Sequence, residues 1–113
     1  MANVFKLKNM FPNKKVTELA GIIEEKFDGE LVCNELQELN DNTKVLVMNY
    51  EKYYFRVSSY VGLTIVITEF NGAQTAVITG FGGGEGLLNI SWGANGSFAV
   101  DMVELLKEFG FEE

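Results

Sequence analysis

The spacing of apolar positions switches between two and about 3.6 residues along the chain, and each switch predicts a new element. Asn3–Lys8 alternates apolar and charged residues, which predicts a short strand, and Phe11-Pro12-Asn13 breaks it because Pro cannot donate to a ladder. From Lys14 to Asp28, Val16, Leu19, Ala20, Ile23 and Phe27 fall on one helical stripe, with Glu18, Glu24, Glu25 and Lys26 on the far side. Asn13 is placed to cap that helix and Gly29 to stop it. Glu30–Asn40 supports two readings. Val32, Leu36 and Leu39 would make a helical stripe, and Glu, Leu and Gln favour helix. As a strand, Leu31 and Cys33 face one way and Val32, Asn34 and Leu36 the other. The strand is preferred because Gly29 has just ended a helix and the stretch that follows is all sheet.

Asp41-Asn42 signals a turn. Thr43–Ser58 is rich in β-branched and aromatic residues and longer than an ordinary strand, which predicts one strand bent near Asn49–Lys52, or two. Ser58–Gly62 then leads into the strongest hairpin signal. Asn71-Gly72 lies between runs of Val, Ile and Thr, and Asn-Gly takes the positive φ angles of a two-residue type I′ turn. With Phe70 facing Ala73, Ile67 pairs with Ala76, Ile65 with Ile78, and Leu63 with Gly80. Those six share a core face, and the opposite face carries Thr64, Thr68, Thr75 and Thr79 with Val66 and Val77. Leu87–Trp92 predicts a further strand with Leu88, Ile90 and Trp92 on one face, and Asn95-Gly96-Ser97 closes the sheet. Ser97 would cap a C-terminal helix with Phe98, Met102, Leu105 and Phe109 on its apolar stripe, ended by Gly110.

Each helix has one apolar stripe and the sheet has one apolar face, so two layers are the economical solution. The expected fold is α+β. A curved, mostly antiparallel sheet of five to seven strands carries an N-terminal and a C-terminal helix on one face, similar in outline to helix-grip or TATA-binding-like domains. One domain over residues 1–113 fits the length.

Charge narrows the partners. Sixteen acidic against nine basic residues leave a net charge of −7. Only Lys14-Lys15 are adjacent, so no basic stripe awaits nucleic acid or an anionic membrane surface. Cys33 is the single cysteine, which fits a reducing cytoplasm, and no basic-then-apolar leader or membrane-length apolar run is seen.

Two stretches invite chemistry. Gly80-Phe81-Gly82-Gly83-Gly84-Glu85-Gly86 fails the phosphate-loop pattern, having no Gly-Lys-Ser/Thr, and fails the dinucleotide pattern, having Glu85 where the third glycine belongs. Its bland reading is a loose connection whose glycines admit close helix packing. Its sharper reading is a groove between sheet and helix that takes a small ligand. Tyr50-Glu51-Lys52-Tyr53-Tyr54-Phe55-Arg56 could wall a site for an aromatic or anionic ligand, or could be ordinary strand surface. There is no His, which excludes Ser-His and Cys-His pairs and the usual His-based zinc sites.

The second half, from Tyr50 to about Leu106, resembles a family of small bacterial proteins known only as a domain of unknown function. The resemblance rests on Glu51-Lys52-Tyr53-Tyr54 with Arg56, on Gly82-Gly83-Gly84-Glu85-Gly86, and on Ser91-Trp92-Gly93-Ala94. It implies a stand-alone cytoplasmic protein and lends no activity. The expected function is a non-catalytic small-ligand module without cofactor or metal, its candidate site being Gly80, Gly82, Gly84, Glu85, Trp92, Tyr54 and Arg56. The alternative is a domain that forms a homodimer through a strand edge or the threonine-rich outer face.

Overall fold

The structure, a computed structural model, describes residues 2–82 and 91–113. In chain order its elements are β1 (Asn3–Asn9), α1 (Val16–Lys26), β2 (Glu30–Asn40), β3 (Thr43–Tyr54), β4 (Ser59–Phe70), β5 (Ala73–Gly82) and α2 (Ser91–Lys107). A single 3-10 turn, Phe55–Val57, separates β3 from β4. The five described strands form one antiparallel sheet in the order β1-β5-β4-β3-β2. The fold is α+β, as expected.

The central hairpin sets the frame. Asn71 and Gly72 take φ of 51° and 84°, the left-handed pair a type I′ turn requires. Register follows as read from the sequence: Phe70 opposes Ala73, Ile67 Ala76, Ile65 Ile78, and Leu63 Gly80. Ile65, Ile67, Leu63 and Ile78 are wholly buried, so the inward face is the core.

Both helices cover that face. Val16, Leu19 and Ile23 of α1 are buried over the β2–β3 side, and Phe98, Met102 and Leu106 of α2 over the β5–β4–β1 side. Helix α1 begins at Val16, and Asn13 is not its cap. Two carboxylates take over the early amides: Glu18 accepts from the Lys15 N–H at 3.0 Å, and Glu69 accepts from the Val16 N–H at 3.0 Å. Gly29 is not a left-handed stop either. A Cβ there would lie 3.1–3.3 Å from the rings of Phe98, Tyr50 and Phe27, a tight fit that would push the rings back, so close approach favours glycine.

Glu30–Asn40 is a strand, but its faces differ from simple alternation. The ladder with β3 slips between Leu31 and Cys33, and Val32 bulges out. Leu31, Asn34 and Leu36 therefore oppose the inward Tyr50, Met48 and Leu46, while Cys33 opposes the outward Asn49. Thr43–Tyr54 runs as one strand, and the break falls at the 3-10 turn.

The chain before the C-terminal helix departs most from expectation. Ser91 and Trp92 belong to α2 and not to a strand, and Asn95-Gly96-Ser97 lies inside the helix. Leu87, Leu88 and Ile90 lie outside the described residues. Gly96 faces the Asn3 side chain, where a Cβ would make ordinary contact at 3.4 Å from Nδ2, and it is helical despite its low propensity.

Helix α2 ends in a Schellman motif. The Phe111 N–H donates to the Leu106 carbonyl and the Gly110 N–H to the Lys107 carbonyl, with Gly110 at φ 98°. The tail then reaches the outer edge of the sheet. Lys8 and Glu112 exchange both backbone hydrogen bonds, at 2.7 and 2.8 Å. Asn9 Nδ2 also donates to the Phe109 carbonyl at 2.9 Å.

Candidate functional site

The residues singled out as a ligand site are divided by the fold. Gly80 is buried on the core face between Leu63 and Asn3 in register, and Gly82 ends β5 with φ 79°. Trp92 lies in the first turn of α2. Gly84 and Glu85 lie outside the described residues. Tyr54 and Arg56 do come together, across β4 from the glycines. The Arg56 guanidinium and the Lys52 ammonium each stand 5.6 Å from the Tyr54 ring, which meets Phe98 edge-on at 6.1 Å. Arg56 Nη2 donates to Ser97 Oγ at 3.1 Å, and Lys52 Nζ donates to Asp28 at 2.7 Å. Burial is the main cause that pushes the Tyr54 hydroxyl above its usual range, and the hydrogen bond that Lys52 donates to Asp28 raises the Lys52 ammonium above its own. These side chains tie the end of β3 to both helices.

The tyrosine stretch does not form one wall. Tyr50 and Tyr54 point inward with the core, and Tyr53 points outward. Sequence alternation alone could have divided them. The open depression between the end of α1 and α2, about 260 Å³, is lined by Phe27, Asp28, Asp101, Glu104 and Leu105 among others and uses none of the predicted site residues.

Both helices lie on the inward face, so the described elements leave the outer face of the sheet uncovered. Four ladders align one row across it: Lys6 opposes Val77, Val77 opposes Val66, Val66 opposes Val47, and Val47 opposes Glu35. The row on one side reads Lys8, Thr75, Thr68, Val45 and Gln37; the row on the other reads Val4, Thr79, Thr64, Asn49 and Cys33. Val77 is 39% and Val4 55% exposed. At one end of the face Tyr53 meets Phe55 at 5.1 Å and Tyr60 at 5.3 Å, both edge-on, and all three are exposed. The Phe81 ring lies over Gly62, where any Cβ would overlap it.

The two strand edges are less available than this face. Lys8 of β1 is already bonded to Glu112, and β2 carries bulges at Val32 and Leu39. Among the described residues no cluster of three or more His, Cys, Asp or Glu could hold a metal ion, and no helix is long and apolar enough to cross a membrane.

A family of unknown function, DUF6054, matches residues 6–110, from the outward Lys6 to the glycine of the Schellman motif. The chain belongs to that family. Comparison with curated proteins and with solved structures finds no match. Membership in DUF6054 assigns no activity, so the functional reading rests on the geometry of this chain.

Proposed function

We propose that this chain is a homo-oligomerising interaction domain that associates through the outer face of its sheet. The observation that carries the reading is the unbroken strip Val77–Val66–Val47 across the three middle strands, exposed at Val77 and half-buried at Val66 and Val47, with threonines on either side of it on β4 and β5. Removing contiguous apolar surface from water is the general drive for association. The size is sufficient. Five strands at ~4.8 Å and ten residues of β5 at ~3.4 Å give a face on the order of 800 Å², against ~800 Å² per partner in a standard interface. The small-ligand reading has weaker support, because Tyr54 and Arg56 are engaged with α2 and Gly80 is buried in the ladder between Leu63 and Asn3.

Sedimentation velocity on the whole chain tests this. The wild type is expected to shift from monomer to dimer as concentration rises from micromolar toward millimolar. Val66→Lys is expected to stay monomeric with an unchanged far-UV spectrum. A wild type that stays monomeric throughout that range would overturn the reading.

A further inference from the structure

We infer that the partner on this face is a second copy related by a two-fold axis that lies in the interface and runs along β4. The inference rests on the self-association reading and adds its symmetry. Opposite charges end the central row. Lys6 on β1 and Glu35 on β2 are outward-facing, exposed and two strands from β4 on either side. Among the described residues neither has an ion-pair partner within the molecule.

Two copies stacked face to face can be related by an in-plane axis along the strands or across them. An axis along β4 carries β1 over the partner's β2. Lys6 then stands over Glu35 of the second copy, and Val77 over its Val47. Val66, on the axis strand, meets its own counterpart. Each contact occurs twice, as a two-fold requires. An axis across the strands carries β1 over β1, which sets Lys6 against Lys6 and Glu35 against Glu35. Like charges in register penalise that arrangement.

Two further observations favour the axis along β4. In the neighbouring row Lys8 is brought over Gln37, whose amide oxygen can accept from an ammonium. Tyr60, on the axis strand at the exposed aromatic end, meets its own counterpart, where offset and edge-on ring contacts are available. Stacked twisted sheets cross at about 30°, which moves the edges by a few ångströms, within the reach of a lysine side chain.

Charge reversal separates this inference from the reading beneath it. Lys6→Glu and Glu35→Lys sit on an exposed face and leave the core untouched. Each alone places like charges together twice per dimer, so the dimerisation constant is expected to weaken by about tenfold or more at low salt. The double variant exchanges the two charges, and its constant is expected to return to near the wild-type value. A dimer that Val66→Lys abolishes but neither reversal weakens would overturn the axis and keep the face. Weakened single variants that the double fails to restore would also overturn it. A monomeric wild type would overturn both.

Discussion

Tyr50 carries a buried phenol with only 2% of its surface exposed, edge-on to Phe27 at 4.9 Å, and its hydroxyl has no hydrogen-bond partner among the described residues. Burial first and the Glu24 carboxylate second push its pKa up from 10.0 to about 12. The sign is that of a group kept neutral by folding. Its neutral form is favoured in the fold, so no stability is lost below pH 10, and roughly 2–3 kcal/mol is lost as pH rises from 10 to about 12. Tyr50→Phe removes both the unmade hydrogen bond and the titration. Urea unfolding at pH 7 is expected to show the variant more stable by ~1 kcal/mol, with the gap widening above pH 10. An unchanged gap across that range would mean that another group carries the alkaline loss. At this scale much was legible. Asn71-Gly72 determines its own turn chemically, and strict alternation carries that register through ten further residues. Glu69 was not legible. It lies far along the chain from Val16, and only the folded hairpin tip brings its carboxylate to the start of α1, where it also accepts from Gln74 Nε2 at 2.9 Å.

Among elements, the end of α2 does more than stop a helix. Phe111 follows Gly110 through the Schellman turn and is only 2% exposed, and Glu112 pairs with the edge of β1. Phe111→Ala should therefore cost ~3–5 kcal/mol by cavity formation, measured by urea unfolding monitored by circular dichroism. A loss below ~1 kcal/mol would mean that the tail merely rests on the sheet. Gly110 was readable as a stop because a stripe at helical spacing ends beside it. The start of α2 was not, since Asn95, Gly96 and Ser97 carry strong turn and cap preferences and yet lie inside the helix. β2 shows a different obstacle. A bulge at Val32 puts Leu31 and Leu36 on one face although they are an odd number of residues apart, which no fixed period can express.

At the scale of the molecule, the two-layer arrangement was legible because one apolar stripe per helix and one apolar sheet face leave few ways to bury everything. The charge pattern of the outer face was not, because the row from Lys6 to Glu35 exists only after four separate registers are combined. The strand order has a further consequence, in time. Strands β2 to β5 follow one another through tight connections, so their ladders close short loops. β1 joins through β5, α2 and the C-terminal tail, all of them far along the chain from it. Closing that long loop before its contacts form is entropically costly, so the rate-limiting barrier should be crossed with the meander formed and β1 still undocked. Phe111→Ala is then expected to steepen the loss of the native state by speeding unfolding while folding proceeds near the wild-type rate, a φ-value near zero in stopped-flow chevrons. A folding limb slowed in proportion to the lost stability would place the docking of β1 inside the nucleus instead.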